Sequence, residues 1–233
     1  MSWVTTSTPD LWHHYGRVRA TRDCAVPGTF YWSWSQDAGP GPEILGELTG
    51  RCVGDLGAGA ARQAAHLAVH HQPARVIAVD GSPAQHAMAT DLYGHLAPCL
   101  QIVQSDVVPH LQAMTRAYDV LYSVFGALDF TDPHEVLPAA AAALKPGGRL
   151  VYSTLAHYLN GTPAQPDAVA ADIPAKTPDG EATTMRRWVL QQHVWIELLD
   201  AAGFTSITVD VLPAAVGGQR TADTLLVSAY HPA

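Results

Sequence analysis

Val53-Gly54-Asp55-Leu56-Gly57-Ala58-Gly59-Ala60-Ala61-Arg62 sets an acidic residue near the end of an apolar run and a glycine turn directly behind it. Residues Leu56 to Ala60 have to bend sharply, and Gly57 and Gly59 lack the Cβ that would bar unusual dihedrals or close approach of a ligand to the backbone. A small molecule is expected to lie over this turn. A second apolar run, Arg75 to Val79, closes on Asp80, 23 residues beyond Gly57. That is near the ~20 expected of a carboxylate that holds a ribose in a nucleotide-binding unit. Two acids and two glycines then face one crevice.

The departures from the dinucleotide fingerprint narrow the ligand. A pyrophosphate site wants G-x-G-x-x-G, but Arg62 stands where the third glycine belongs, and Asp55 would set negative charge beside the phosphate. An acid there suits an ammonium group instead. At this point the chain resembles the class I S-adenosylmethionine-dependent methyltransferases, whose first motif is an acid, any residue, then G-x-G, and whose ligand carries an amino acid, a sulfonium and a ribose. Asp80-Gly81-Ser82-Pro83 is similar to that family's ribose motif, and Ser105-Asp106-Val107 to its adenine motif. Tyr118-Asp119-Val120-Leu121-Tyr122-Ser123 resembles its fourth motif, and Leu144-Lys145-Pro146-Gly147-Gly148-Arg149-Leu150 the turn before its fifth strand. The resemblance implies S-adenosylmethionine as cofactor, leaving as S-adenosylhomocysteine. It implies contacts from Asp55, Gly57, Ala58, Gly59, Asp80, Gly81, Ser82, Asp106 and Val107, and from Ser123, Val124 and Phe125 after the fourth strand. Asp119 starts its strand, away from the carboxyl edge, and is left out of the site.

Bulk properties bound this reading. With 233 residues, 48% hydrophobic and 15% charged, the chain can bury one substantial core, and one domain over 1–233 is expected. A formal charge of -8 without a Lys/Arg cluster argues against nucleic acid, whose affinity comes largely from neutralised phosphates. Cys24, Cys52 and Cys99 lack the spacing of a disulfide framework or zinc site. No metal is expected. No 18-residue apolar run and no signal-peptide pattern is present, which points to a cytoplasmic protein without a membrane partner. A homodimer is compatible with the composition.

Apolar runs alternate with helical patterns, the mark of a parallel sheet covered on both faces. Strands are expected near 51–55, 75–79, 100–104, 118–123 and 149–154, and helices at Ala60 to His70, Pro83 to His95, Val107 to Thr115 and His134 to Leu144. Further on, Trp195, Leu198, Leu199 and Ala202 space as one helix face ending at Gly203. Ser206 to Leu212 and Thr224 to Tyr230 read as strands. Their short link, containing Gly217-Gly218, cannot hold a crossover helix, so this pair should be antiparallel. The fold class expected is α/β, a Rossmann-like seven-stranded sheet with six parallel strands and one antiparallel, helices on both faces.

Two stretches lie outside that core. Residues 1–40 hold four of the six Trp, with His13, His14, Tyr15, Phe30 and Tyr31, and read as an aromatic lid. Residues 155–187, rich in Ala, Pro, Gly and Thr, read as a substrate lid with little periodicity. Ligands of open α/β sheets bind at the carboxyl edge, so both should border the acceptor pocket. Within Phe30 to Gln36, Tyr31 and Trp32 are the candidates for covering the cofactor, the remainder being core. His157 and His14 are the candidate general bases, each also readable as a structural or surface histidine. His66, His70, His71 and His86 read as helix-surface residues. Asp55 and Asp106 could instead cap helices, Asp80 could serve its Asp-Gly turn, and Phe125 could be core. Either Arg186 or Arg187 could grip an acidic acceptor, or both could face solvent. The expected activity is methyl transfer to O, N or C of a small molecule, plausibly in secondary metabolism. The rival readings are a protein of this fold that uses S-adenosylmethionine without methylating, and a nicotinamide oxidoreductase.

Overall fold

The computed structural model describes residues 10–15, 25–214 and 221–233; Trp3, Cys24 and Gly217-Gly218 lie outside them. Nine strands are described: β1 (Cys52–Leu56), β2 (Arg75–Asp80), β3 (Leu100–Gln104), β4 (Tyr118–Val124), β5 (Leu144–Leu155), β6 (Ala171–Lys176), β7 (Ala182–Arg187), β8 (Thr205–Leu212) and β9 (Thr224–Tyr230). Seven form one sheet in the order β3-β2-β1-β4-β5-β9-β8, and β6 and β7 form a separate hairpin. β9 pairs antiparallel with both β5 and β8, while β1 to β5 pair in parallel. Six strands therefore run one way and β9 the other, as expected.

The helices are α1 (Arg62–His70), α2 (Pro83–Tyr93), α3 (Val107–Ala113), α4 (Ala127–Phe130), α5 (Pro133–Ala143) and α6 (Gln192–Ala201). Strand residues alternate between two cores. Leu56, Ile77, Val79, Leu121, Leu150 and Tyr152 face one side with α3, α5 and α6, and Val53, Val76, Ala78, Val120, Tyr122 and Val151 face the other with α1 and α2. This double burial is why β1 reads as a continuous apolar run, every residue of it buried. On α6, Trp195, Leu198 and Leu199 are the buried face, and Tyr152 meets Trp195 edge-on at 5.2 Å. Gly203, at φ +86, turns the chain out of that helix.

Several boundaries differ from the expectation. α1 begins at Arg62 because Ala61 is left-handed at φ +57, and β5 starts five residues early, with Tyr118 opposite Leu144 and Val120 opposite Arg149 around a bulge. Residues 155–187 are not without period. Ala171 pairs with Arg187 through to Lys176 with Ala182, and burial alternates along β6. Pro174 and the lack of a β-branched run hid that strand from sequence reasoning. His66 is no surface residue: it is 3% exposed, and its Nδ1 lies 2.8 Å from the Pro27 carbonyl.

Candidate active site

The carboxyl ends of β1, β2 and β4 meet at one cavity of about 1110 Å³. The upper end of the usual small-molecule range is about 1,000 Å³, so two ligands have room side by side. Its floor is the turn after β1. Gly57 sits at φ +75, and a Cβ there would lie 2.3 Å from the Ala127 nitrogen; at Gly126 it would lie 2.6 Å from the Gly57 oxygen. Only two glycines let the turns after β1 and β4 touch. Gly57 and Ala58 both donate their N–H to the Val79 carbonyl, at 2.9 and 3.0 Å.

Asp55 ends β1 buried at 2% exposure, and one oxygen, Oδ2, accepts from the Tyr122 hydroxyl at 2.8 Å. Burial pushes its carboxyl up to about 7; the Tyr122 bond opposes the rise and Asp80 adds to it. Asp80 is also raised by burial, against the pull of two backbone donors. Those are Gly59 N–H to Oδ2 at 2.7 Å and Ser82 N–H to Oδ1 at 2.9 Å. Each oxygen keeps a second lone pair for a ligand. Asp106 stands just before α3, at its N-cap, but makes no side-chain cap bond, and it lines the cavity wall.

The wall also takes in Ala58, Gly59, Gly81, Ser82, Val107, Val124 and Phe125. Phe125, at φ +50, lines the cavity and meets Trp34 edge-on at 5.0 Å, half-buried against a small apolar cluster. Ser123 does not reach the wall. It is fully buried and donates from Oγ to the Leu56 carbonyl at 2.7 Å, bracing the turn from beneath.

Besides Ser123, four expected site residues need correction. Trp32 is fully buried, donates from Nε1 to the Gly41 carbonyl at 2.7 Å, and packs on Phe30 and Tyr122 in the α1–α2 core. Tyr31, between Phe30 and Trp32, is likewise absent from the wall, and the aromatic that does line it is Trp34. His157 is spent on the backbone. Asp223 N–H donates to its Nε2 at 3.2 Å, so Nδ1 carries the proton and donates to the Tyr158 carbonyl at 3.1 Å. No lone pair is left to act as a base. His14 is exposed and not itself part of the wall; its Nε2 is 2.9 Å from the carbonyl of Pro178, a wall residue at the tip of the β6–β7 hairpin.

Sequence reasoning missed the partners that distance in the chain conceals. Asp10 accepts from Ser82 Oγ at 2.8 Å and Ala84 N–H at 3.1 Å, so a residue of the aromatic segment helps cap α2. The Gln85 amide then holds the carbonyls of Trp12 and Tyr15, both at 2.9 Å. On the far side, Arg187 at the end of β7 is 5% exposed and donates from Nε and Nη2 to Oδ2 of Asp129 in α4, at 3.1 and 2.5 Å. Burial pushes the Asp129 carboxyl up and Arg187 pulls it down. The guanidinium carbon lies 5.5 Å from the Trp34 ring centre and 5.1 Å from that of Phe130. Neither partner left a local signal: Asp10 lies more than seventy positions from the helix it caps, and the inward face of β7 is Thr183, Met185 and Arg187, with a single apolar residue to mark it.

Acidic groups thus gather at the β1–β3 end of the cavity, while aromatics, Ile173, Met185 and Arg187 enclose its β5 end. Among the described residues no group of His, Cys, Asp or Glu is arranged to hold a metal ion, and no helix is long and apolar enough to cross a membrane.

Comparison with known proteins gives this geometry a context. Residues 53–148 match the family described as "Methyltransferase domain". A trans-aconitate 2-methyltransferase of Paracidovorax citrulli (strain AAC00-1) is 30% identical over 148 residues, covering 63% of this chain and 55% of that protein. The match therefore spans little more than half of that relative's length. Among solved structures, an S-adenosylmethionine-dependent methyltransferase from Mesorhizobium loti aligns with TM-score 0.55 and 19% identity over 80% of this chain and 94% of that one. A Burkholderia thailandensis 1,6-didemethyltoxoflavin-N1-methyltransferase, solved with 1,6-didemethyltoxoflavin and S-adenosylhomocysteine, aligns with TM-score 0.56 and 22% identity over 79% and 72%. These two likenesses concern the fold.

Proposed function

We propose that this chain, whose residues 53–148 carry a methyltransferase domain, binds S-adenosylmethionine at the acidic end of its cavity and methylates a small molecule held at the aromatic end. The observation that carries the proposal is Asp55: a buried carboxylate on the cavity wall with one tyrosine hydroxyl for company. Such a group calls for a cation, and an ammonium beside it would restore the ionised form that burial disfavours. A diphosphate would meet Asp55, Asp80 and Asp106 together, which speaks against a nicotinamide coenzyme.

The residues present fit the cofactor. Asp55 would hold the amino group, the Gly57–Gly59 turn would admit close approach of the backbone, Asp80 would accept from ribose hydroxyls, and Asp106 and Val107 would meet the adenine. When bound, the cofactor supplies a methyl group on a sulfonium, which leaves by in-line displacement. The protein's part is to hold the acceptor against it and exclude water, and well-oriented reactants alone gain effective molarities of about 10⁵ M or more. Trp34, Phe125 and Phe130 form the apolar side of that enclosure, with Ile173 and Met185 of the hairpin closing it. No histidine lines the cavity among the described residues. The acceptor is accordingly a group already nucleophilic near neutral pH, one that asks for no general base.

An enclosure of this kind suits a small organic acceptor over a polymer, and a secondary metabolite or its precursor, met in the cytoplasm, is the setting we assign. Calorimetric titration with S-adenosylhomocysteine and, separately, with NADH tests the reading. Saturable one-site binding of the first and none of the second is expected; the reverse would overturn it.

A further inference from the structure

We infer that the acceptor is an organic acid whose carboxylate docks on the free edge of Arg187, an inference that rests on the methyl-transfer reading above. The geometry of the ion pair carries it. A guanidinium has five N–H donors, and a two-oxygen fork is its usual match to a carboxylate. Arg187 instead places Nε and Nη2 on the same oxygen of Asp129. Oδ1 of Asp129 makes no hydrogen bond of normal length, the Thr154 hydroxyl lying only near enough to pull its carboxyl down, and the hydrogen bonds of Arg187 among the described residues come from Nε and Nη2, leaving Nη1 over. The guanidinium carbon also lies over the rings of Trp34 and Phe130, at 5.5 and 5.1 Å from their centres, so the cation is held among aromatics. Arg187 is nonetheless part of the cavity wall.

A structural ion pair alone explains this arrangement poorly. Arginine cannot shed its proton to escape burial, and a salt bridge shut away from water stabilises little after desolvation is counted. Holding a cation rigid, stacked and partly unused beside a cavity preorganises it for an anion, and a carboxylate presents two oxygens to the Nη1 and remaining Nη2 donors. The apolar surroundings, Ile173 and Met185 among them, fit the carbon body of such an acid. Its charge also agrees with the lack of a histidine base, because a carboxylate is ionised at neutral pH. Where that oxygen is itself the nucleophile, it bonds the methyl carbon as the carbon–sulfur bond breaks. Ester and neutral thioether form, and no proton moves.

The test is a set of matched pairs titrated into protein saturated with S-adenosylhomocysteine: benzoate against benzamide, 3-phenylpropionate against 3-phenylpropionamide, and succinate against succinamide. At least one acid should bind roughly tenfold or more tightly than its own amide, the least expected of a charge-assisted hydrogen bond. That preference should vanish in the double variant Arg187→Gln with Asp129→Asn, which removes both charges and strands neither. The variant should keep its affinity for S-adenosylhomocysteine, since neither side chain is at the acidic end. If S-adenosylhomocysteine binds but no acid outdoes its amide, or the preference survives the double substitution, the carboxylate assignment is wrong and the methyl-transfer reading stands. If S-adenosylhomocysteine does not bind at all, both fall.

Discussion

Replacing Asp55 with Asn should make the empty protein more stable and the binding site useless, and the balance can be worked from the burial of one carboxyl. Burial lifts Asp55 from 3.8 to about 7, and at 1.36 kcal/mol per unit the ionised form costs about 4 kcal/mol in the folded state. An acid raised by folding binds its proton more tightly folded than unfolded, so stability is greatest below 3.8, falls as pH climbs from 3.8 to about 7, and is flat above. Asn keeps the shape and still accepts from Tyr122, but its amide buries a new donor at about 1–3 kcal/mol. The net gain at pH 8 is then about 1–3 kcal/mol, or roughly 2–12 °C in melting temperature for a chain of this size. At pH 5 the wild-type carboxyl is protonated, and the gain should disappear. Ligand binding should move the opposite way: an ammonium selects the carboxylate, so wild-type affinity for S-adenosylhomocysteine should fall about thirtyfold between pH 8 and pH 5.5. Thermal melts at both pH values and calorimetry on both proteins decide it. Equal melting profiles together with unchanged affinity in Asp55→Asn would refute the reasoning.

Three further substitutions probe the same architecture. Gly57→Ala would place a Cβ 2.3 Å from the Ala127 nitrogen on a backbone at φ +75, and should destabilise by more than the roughly 1–2 kcal/mol of left-handed strain alone, read by urea unfolding. Asp80→Ala removes the acceptor of Gly59 and Ser82 N–H together with the expected ribose contact; S-adenosylhomocysteine affinity should drop by about 1.5–3 kcal/mol in calorimetry. His157→Ala should lower stability by about 1–2 kcal/mol, since two backbone bonds go, yet leave turnover and its pH profile in place once an acceptor is known; lost activity at retained fold would restore a catalytic role.

What the sequence discloses and what it hides divide along chain distance. Asp55, Gly57, Gly59 and Asp80 could be read because a strand end, a turn and a following helix are local, and the spacing alone brings their backbones together. The six-parallel, one-antiparallel character of the sheet was legible for a related reason, since connection lengths dictate which strands can run parallel, whereas the order of its strands comes only with the fold. Asp10 could not be read. Its bonds to Ser82 and Ala84 cross more than seventy positions, and nothing near it marks the helix it caps. In Phe30-Tyr31-Trp32-Ser33-Trp34, parity points Phe30, Trp32 and Trp34 the same way, but the bend closing at Gln36, with φ +54, turns Trp34 to the cavity while Trp32 stays in the core. His157 misled because its position just beyond β5 is right for a base, and only the fold supplies Asp223, which occupies the nitrogen it would use.

Crystals grown with S-adenosylhomocysteine put the central claim to its most direct test. The amino group is expected beside Asp55, the ribose on Asp80, the adenine by Asp106, and the sulfur turned toward Trp34 and Arg187. Density for the ligand elsewhere, or a cavity that takes up NADH in its place, would contradict it.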